Sequence, residues 1–314
     1  MANPAGTAGS PQFSVVIPTY NRAATVGRAI ESVLKQTYPP AELIVVDDGS
    51  QDATRQYIDA YGDALRYIYQ ENAGASAARN RGAAEARFTW LAFLDSDDLW
   101  YPDYLEAIAG AITATAGAAT LYFSDAEFEE FDPPRNRWSR VGFKPQEPYE
   151  LLERPVDLVL AESQPMLLPF SVFRRSEFLA SGGLWEPLSA GEDTHLFVRL
   201  GLDHSLCAVA RVGGEVKGEP GSSGRLTGAF GPRSTKHWDC SVLLWKNILE
   251  RSESLTPQDR QLIRRRIADA YWRKSMLSMK RFKLLAAAAS LAHSVINDPS
   301  IAMETVSRRI SRRA

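Results

Sequence analysis

Residues 13–50 read FSVVIPTYNRAATVGRAIESVLKQTYPPAELIVVDDGS, and they carry the pattern of one strand, one helix and a second strand. The first run is apolar and rich in β-branched residues, and Pro18 ends it, as expected of a buried strand. Apolar residues then recur at helical spacing behind Asn21, which can cap a helix. We therefore predict a strand at 13–17, a helix at about 23–36 and a strand at 42–46. Five apolar side chains are expected on the buried face of that helix: Val26, Ala29, Ile30, Val33 and Leu34.

The same alternation continues to about residue 98. We predict a helix from about 53, a strand at 66–69, a helix at 76–86 and a strand at 89–94. Apolar strands that alternate with helices form a mostly parallel sheet covered on both faces. Ligands bind such sheets at the carboxyl ends of strands, near a switch in strand order. The polar residues at 18–21, 47–50 and 95–98 are therefore expected to share one cleft.

The rest of the chain departs from this alternation. Residues 122–169 contain aromatic runs broken by proline, which predict an antiparallel hairpin and an irregular connection. The Gly-rich residues 212–231 predict a mobile loop, and the pattern beyond Ser234 is helical. We therefore predict three regions: a disordered leader at 1–12, an α/β domain at 13–233 and a basic helical region at 234–314.

The composition excludes several classes of protein. With 314 residues, 45% hydrophobic and 24% charged, the chain resembles an average globular protein rather than a collagen, a coiled coil or a disordered chain. Its two cysteines, Cys207 and Cys240, have neither a disulfide-scaffold pattern nor zinc-site spacing. We find no apolar stretch of about 20 residues and no signal-peptide pattern. A cytoplasmic location is therefore predicted.

Charge is unevenly distributed along the chain. Residues 251–314 hold 14 Lys and Arg against 5 Asp and Glu, whereas the preceding residues hold 22 against 33. A basic region of this kind can bind nucleic acid, lie on anionic lipid or be a solvated helical cap. We predict no nucleic-acid partner. Peripheral association with the inner face of a membrane and a soluble helical cap stay open as alternatives.

Three carboxylates follow the predicted strand at 89–94. Asp95, Asp97 and Asp98 lie within four positions, and crowded carboxylates repel one another unless a cation lies among them. Oxygen ligands favour Mg²⁺ or Mn²⁺, and one or two carboxylates suffice where phosphates of a substrate complete the coordination. A solvated turn in which Asp98 caps a helix is the alternative.

Other polar residues mark a candidate nucleotide site. Asp47 and Asp48 follow a strand and could accept hydrogen bonds from a base or a ribose, or could simply form a turn. The sequence lacks the GxGxxG and GxxxxGK[ST] phosphate loops, which leaves a metal to hold phosphates. Arg79 lies near the start of a helix, where it could meet a diphosphate. Glu192 and Asp193 begin another helix, as caps or as a general base.

Together these segments resemble the family 2 inverting glycosyltransferases of the GT-A fold. The matching strings occur in the family's order, and the resemblance covers about residues 13–205. They are SVVIPTYNRAATVGRAIESVLKQTYPPAELIVVDDGSQDAT, NAGASAARNRGAAEARFTWLAFLDSDDLWYPDYL and GGLWEPLSAGEDTHLFVRL. The resemblance implies a GT-A fold, a Rossmann-like, mostly parallel sheet, with a helical C-terminal extension.

The resemblance also assigns roles to residues. It implies that nucleotide-binding residues are Pro18, Thr19, Tyr20, Asn21, Asp47, Asp48, Arg79, Asp95 and Ser96. It implies metal ligation by Asp97 and Asp98 and general-base catalysis by Asp193. Glu192 and Trp185 are expected at the acceptor site. Relatives often carry a histidine after the helix of the GED string, and here Lys217 or Arg225 is the candidate to serve the phosphates instead.

The implied reaction is a single displacement. A divalent metal, Mn²⁺ or Mg²⁺, would neutralise the diphosphate of a UDP- or GDP-sugar while a base deprotonates the hydroxyl of a saccharide or lipid-linked acceptor. The expected role is cell-surface polysaccharide or glycoconjugate synthesis. Two alternatives remain at this point: a nucleotidyltransferase acting on a sugar phosphate, and a non-catalytic module that binds a nucleotide-sugar.

Overall fold

The structure is a computed structural model that describes residues 9–129, 135–217 and 234–300. The chain divides into two compact units. Unit 1 comprises Met1–Leu184 and Asp203–Pro220, and unit 2 comprises Trp185–Leu202 and Gly221–Ala314. Most of the predicted leader, most of the predicted Gly-rich loop, Arg225 and the last fourteen residues lie outside the described residues.

Unit 1 is built on a sheet of ten strands. The strands are β1 (Phe13–Thr19), β2 (Glu42–Asp47), β3 (Arg66–Tyr69), β4 (Trp90–Phe93), β5 (Leu99–Trp100), β6 (Leu121–Phe128), β7 (Arg135–Asn136), β8 (Tyr149–Leu152), β9 (Ser171–Arg174) and β10 (Leu206–Val216). Its helices are α1 (Val26–Leu34), α2 (Thr54–Asp59), α3 (Ala75–Glu85), α4 (Tyr104–Ala114), α5 (Arg137–Val141), α6 (Val156–Val159) and α7 (Arg175–Ala180). Each strand and helix predicted before residue 98 is confirmed, with ends that differ by a few residues.

The order of strands creates a switch point beside β1. The sheet runs β3-β2-β1-β4-β9-β6-β10-β5, with β7 paired to β6 and β8 paired to β10. Strands β2 and β4 both pair with β1 in parallel, one on each side, so the chain reverses its direction of progress across the sheet there. Strand β9 joins the two halves by antiparallel pairing with β4 and β6. The carboxyl ends of β1 and β4 therefore border the crevice where ligands bind in such sheets.

Packing against the sheet explains the residues found on α1 and α3. Four of the five predicted residues of α1 are buried, whereas Leu34, at the last turn, is exposed. Helix α3 has a surface of small residues because it lies close to the sheet. A Cβ added to Gly82 would come within 2.3 Å of a methyl group of Val16 and 3.2 Å of one of Val46.

The predicted mobile loop starts too early, because Val212–Val216 belong to β10. At Gly213 and Gly214 the strand has no space for a side chain, and this lack of space explains the two glycines better than a need for flexibility. A Cβ at Gly213 would lie 2.4 Å from Ser124 Oγ, and one at Gly214 would lie 2.1 Å from the carbonyl oxygen of Leu99. The strand pairs with β5, β6 and β8, so the second half of the sheet is mixed rather than parallel.

Unit 2 is helical. Its helices are α8 (Glu192–Asp203, whose last residue belongs to unit 1), α9 (Thr235–Arg251), α10 (Pro257–Lys280) and α11 (Leu284–Asn297). Thr256 begins α10 with a reciprocal capping box in which its side chain and that of Asp259 each accept a backbone N–H. The predicted helical C-terminal region is confirmed for residues 235–297. No helix in the described parts of the chain is both long and apolar enough to cross a membrane.

Candidate active site

Three loops meet at the carboxyl ends of β1, β2 and β4. The backbone N–H of Asp48 donates to the carbonyl of Thr19 over 2.9 Å, which joins the ends of β2 and β1. The N–H of Leu94 donates to the carbonyl of Val16 over 3.0 Å and joins β4 to the other side of β1. The loops that follow these strands therefore lie side by side at the switch point.

The loop after β1 is held by an asparagine in a left-handed conformation. Asn21 has a φ of 52°, which asparagine tolerates better than most residues. Its side-chain oxygen accepts the N–H of Gln51 over 2.8 Å, and its own N–H donates to Ser50 Oγ over 2.9 Å. This sharp turn leaves the Tyr20 side chain 43% exposed at the rim.

Thr19, the last residue of β1, has a side-chain hydroxyl without a hydrogen-bond partner in the described parts of the chain, as does Thr25 at the far end of the loop. Its side chain is almost fully buried, and its Oγ1 makes no hydrogen bond to any described residue. A buried hydroxyl without a partner is costly, since about nine in ten such groups are satisfied in proteins. Pro18 precedes it within β1, where it pairs with Val46. The Thr19 hydroxyl is therefore a group that a bound molecule could satisfy.

Asp47 and Asp48 are both buried, and both accept hydrogen bonds from the protein itself. Asp47 accepts the N–H of Ser50 over 2.8 Å and the hydroxyl of Tyr67 over 2.8 Å. Asp48 accepts three donors at 2.7–2.9 Å: Gln70 Nε2 and the N–H groups of Ala73 and Gly74. The Asp48 carboxylate thus fastens the end of β2 to the segment that enters α3. Its predicted role in contacting a base stays a prediction.

Arginines already compensate the crowded carboxylates after β4. Arg79 of α3, whose side chain is 8% exposed, pairs with Asp95 at 2.5 Å. Arg22, from the loop after β1, pairs with Asp97 at 3.8 Å. Two guanidinium groups therefore supply the cations that crowding requires. Repulsion among these acids is consequently a weaker argument for a metal than the sequence alone indicated.

Asp98 differs from its two neighbours. It is almost fully buried, and its Oδ1 accepts the backbone N–H of Lys217, just beyond β10, over 3.0 Å. It does not cap a helix, because β5 follows it directly. Ser96, between the paired acids, is also buried. The Lys217 ammonium pairs with Glu215 at 2.7 Å and with Glu129 at 3.4 Å.

The donor set fits a divalent cation held in part by a substrate. Asp95 and Asp97 keep side-chain exposures of 31% and 19%, and they present only oxygen atoms, the ligands that Mg²⁺ and Mn²⁺ prefer. Among the described residues no three His, Cys, Asp or Glu side chains are grouped as a metal cage would need. The residues therefore fit a site that phosphate oxygens complete, not one formed by protein alone.

The predicted base lies in unit 2. Glu192 and Asp193 begin α8 after Gly191, which has a φ of 79°, and Asp193 Oδ1 accepts the N–H of Thr194 over 2.6 Å. The catalytic role of Asp193 and the acceptor-site role of Glu192 are not tested by these contacts.

Sequence reasoning missed His195, two residues after the predicted base. The side chain of His195 is fully buried and stacks on Trp185, with ring centroids 5.0 Å apart. Its Nε2 donates to Asn247 Oδ1 of α9 over 2.9 Å, and its Nδ1 has no hydrogen bond to any described residue. Burial, with a smaller contribution from Arg199, lowers the pKa of His195 to about 4. No pattern in the sequence links a histidine of α8 to residue 247, so this contact required the structure.

Comparison with known sequences settles the family. The profile of the family described as Glycosyl transferase family 2 matches residues 14–175, about half of the chain. This chain belongs to glycosyl transferase family 2. The members of this family are enzymes that transfer sugars. Membership therefore favours a glycosyltransferase over the two alternatives left open by the sequence, a nucleotidyltransferase and a non-catalytic module.

Named relatives share part of the chain. Validoxylamine A glucosyltransferase of Streptomyces hygroscopicus subsp. limoneus is 38% identical over 161 residues, 45% of this chain and 35% of that protein. A Bacillus subtilis (strain 168) glycosyltransferase named for teichuronic acid biosynthesis, TuaG, is 41% identical over 100 residues, 31% of this chain and 40% of that protein. The chain spans about a third of the length of several curated relatives that it matches.

Solved structures confirm the GT-A fold. S. aureus TarS 1–349 in complex with UDP-GlcNAc superimposes with a TM-score of 0.66 at 18% identity, covering 91% of this chain and 89% of that one. The mannosyltransferase PcManGT of Pyrobaculum calidifontis, in complex with GDP-Man and Mn²⁺, gives 0.57 at 17% identity, covering 97% and 81%. At these identities the likeness shows the fold alone.

Proposed function

We propose that the chain transfers a sugar from a nucleoside diphosphate donor to a hydroxyl acceptor, with a divalent cation and with inversion at the anomeric carbon. The observation that carries the donor class is the set of groups at the switch point. Thr19 presents a buried hydroxyl without a partner, and two partly exposed carboxylates lie beside two guanidinium groups. Hydroxyl, carboxylate and guanidinium groups together suit a ligand that combines a base, a ribose and a diphosphate.

The proposed roles divide the donor among the three loops. Residues 18–21 and 47–48 are assigned to the base, and Asp95 with Ser96 to the ribose. Arg79 is assigned to the diphosphate, since a guanidinium group matches two phosphate oxygens at once. Its ion pair with Asp95 holds the arginine side chain in place before the donor arrives. The solved neighbours named above were crystallised with UDP-GlcNAc and with GDP-Man, which supports a nucleotide-sugar without choosing the base.

Asp97 is the residue we favour as a metal ligand. It is partly exposed, whereas Asp98 is almost fully buried and already accepts an N–H of the protein. Asp98 remains a predicted second ligand. A bound Mn²⁺ or Mg²⁺ would neutralise charge on the leaving diphosphate, as one role of metals in group transfer. The Mn²⁺ in the PcManGT structure supports the use of a divalent cation.

Asp193 is the proposed general base. Its carboxylate would take the proton of the acceptor hydroxyl as that oxygen forms a bond to C1 of the sugar and the C1–O bond to the diphosphate breaks. A single displacement of this kind inverts the anomeric carbon and releases a nucleoside diphosphate. Trp185 is the proposed wall of the acceptor site, and Glu192 is its proposed polar neighbour.

The acceptor class is proposed from the relatives. TuaG is named for the synthesis of teichuronic acid, a polymer, which supports a saccharide or lipid-linked acceptor in the synthesis of cell-surface polysaccharide. The name of the validoxylamine A glucosyltransferase points instead to a small acceptor, and an acceptor screen should therefore include both kinds.

Product analysis with UDP- and GDP-sugars tests the proposal. The chain should release a nucleoside diphosphate in the presence of an acceptor, and the glycosidic linkage formed should have the anomeric configuration opposite to that of the donor. Asp193→Asn should lower the transfer rate by about 10²–10⁴-fold, the usual contribution of a general base, while the nucleotide still binds. Asp203→Asn, at the exposed far end of the same helix, is the matched control.

Each part of the proposal has a result that refutes it. Release of pyrophosphate instead of a nucleoside diphosphate would replace the transferase reaction. Retention of the donor's anomeric configuration would exclude a single displacement. A rate for Asp193→Asn equal to that of Asp203→Asn would remove Asp193 from the mechanism.

A further inference from the structure

Helix α11 packs against α10 through small residues. Its buried residues are Ala287, Ser290 and Ser294. The Ser294 hydroxyl donates to the carbonyl of Ala268 over 2.8 Å, and the hydroxyl of Ser275 donates to the carbonyl of Ala287 over 2.9 Å. The inward side of α11 is thus the polar and small-residue side, the reverse of an ordinary surface helix.

The large apolar side chains of α11 point outward. They follow the spacing i, i+1, i+7, i+11 and i+12, which places them on one arc of about 140° that excludes the buried residues. Their exposed fractions are 68% for Leu284, 90% for Leu285, 36% for Leu291, 43% for Val295 and 76% for Ile296. Phe282, in the turn before the helix, is 90% exposed as well. We refer to these six residues as the apolar face; a contiguous patch of this kind marks an interaction surface.

Cations border the apolar face. Residues 270–297 contain five Lys and Arg and no Asp or Glu. Arg273 pairs with Asp269 and Lys274 with Asp239. Exposed cations lie around Phe282, at the start of α11: Lys280, Arg281 and Lys283.

We propose that the apolar face and these three cations form a docking surface for an anionic lipid bilayer. A helix with an apolar face and adjacent Lys and Arg lies in the plane of a membrane interface, with the apolar side chains at the acyl boundary and the cations among the headgroups. The proposed association is peripheral, because the helix would lie along the interface and not cross the bilayer. The surface does not depend on the proposed catalytic function, so either can fail without the other.

Charge favours a bilayer over a second copy of the chain. A symmetric dimer buries the same patch on both partners, so pairing of two apolar faces would place six cations at one interface, and residues 270–297 offer them no carboxylate. Like charges at an interface disfavour association. An anionic bilayer instead attracts the same cations that a dimer would have to separate.

Flotation with vesicles tests this surface. The full chain is mixed with vesicles of phosphatidylcholine alone or of phosphatidylcholine with phosphatidylglycerol, at low and high salt. We expect it to float with the anionic vesicles at low salt and to bind the neutral vesicles much more weakly. Lys280→Gln, Arg281→Gln and Lys283→Gln together should lower the partition coefficient by about a hundredfold, since each cation near the bilayer contributes about fivefold.

The second part of the test replaces two exposed residues of the apolar face, a change that leaves the packing of α11 intact. Leu285→Ser with Ile296→Ser should abolish flotation, whereas Leu34→Ser, which replaces an exposed leucine of α1, should leave it unchanged. Circular dichroism and thermal unfolding confirm that each variant is folded. The proposal is overturned if the chain does not float at low salt or if the serine double variant floats as the parent does. It is also overturned if light scattering shows a dimer that this double variant dissociates, since the face would then be covered by a second copy.

Discussion

Replacing His195 by phenylalanine should reduce the loss of stability that we expect of this protein in mild acid. In the folded chain the imidazole is buried and its pKa is lowered to about 4, against about 6.5 when the chain is unfolded. Between about pH 4 and pH 6.5, the imidazole is therefore protonated in the unfolded state and neutral in the folded state. By linkage, the contribution of neutral His195 to the free energy of unfolding is complete above about pH 6.5 and is lost as the pH falls toward 4.

The contacts of the ring explain this resistance to protonation. Burial is the main cause, and the positive charges of Arg199 and Arg251 add to it, while the hydrogen bond with Asn247 opposes it. Because Asn247 Oδ1 accepts from Nε2, a second proton would have to enter at Nδ1, which has no acceptor among the described residues. For pKa values of 6.5 and about 4, the difference in stability between pH 7 and pH 5 is about 2 kcal/mol.

Urea unfolding followed by circular dichroism, at pH 7 and at pH 5, measures this difference. Phenylalanine retains a ring to stack on Trp185 but leaves the amide of Asn247 without its donor, so His195→Phe should be less stable than the parent by about 1–3 kcal/mol at pH 7. At pH 5 the two stabilities should lie about 2 kcal/mol closer, because only the parent loses the contribution of the neutral imidazole. The decisive quantity is the pH dependence, which should shrink by about 2 kcal/mol relative to the parent. His204→Asn, which removes another histidine at a side chain that is 37% exposed, is the matched control. If His195→Phe and the parent lose equal stability between pH 7 and pH 5, the argument is wrong.

Four further predictions concern the proposed nucleotide cleft and the packing of helix α3 beside it. Arg79→Ala should weaken UDP or GDP binding by about tenfold to a hundredfold in calorimetry, as expected for a charged hydrogen bond, whereas the more exposed Arg81→Ala should change it little. EDTA should abolish transfer and Mn²⁺ or Mg²⁺ should restore it; full activity without metal would refute the proposed role of the cation. Gly82→Ala should destabilise the fold by about 1–3 kcal/mol in urea unfolding, because its Cβ would overlap a methyl group of the sheet, despite the better helix propensity of alanine. Asp48→Asn should lower both nucleotide affinity and the free energy of unfolding, the latter by about 1.5–3 kcal/mol, whereas Asp97→Asn should lower affinity alone; equal stabilities would contradict this division.

The first ninety-eight residues could be predicted well because their pattern is local. Each strand from β1 to β4 is an apolar run with polar residues at its end, and each helix follows within a few positions. Leu34 is the exception on α1: it lies at the edge of the apolar face and is exposed, although Val33 beside it is fully buried. Periodicity predicts which side a residue faces and not whether a neighbour reaches it.

The second half of the sheet could not be predicted because its strands are defined by distant partners. Strand β5 has two residues, and it exists because it pairs with β10, more than a hundred positions away. Gly213 and Gly214 favoured a loop in the sequence, since glycine usually marks turns. In the structure they are the residues small enough for the approach of Tyr104, Ser124 and Leu99. The contact of His195 with Asn247 joins residues 52 positions apart and has no signature in the sequence either.

The acids at the switch point also show why residue type alone gave an incomplete description of the site. Their pattern in the sequence treats them alike, as oxygen ligands after strands. In the structure they form two groups, distinguished by what they contact. Three accept N–H groups of the backbone and so fix the loops: Asp47, Asp48 and Asp98. Two are paired with arginine side chains: Asp95 and Asp97.

This division has a physical consequence for ligand binding. A carboxylate that accepts backbone N–H groups cannot change partners without loss of the loop that it holds, because the buried donors would be left unsatisfied. A carboxylate paired with a guanidinium at the edge of a cleft can exchange that partner, since both side chains move on rotatable bonds and water reaches at least one of them. The first group therefore shapes the cleft, and the second group, with Arg22 and Arg79, is the part of the site whose charges would rearrange around the diphosphate and the cation that we propose.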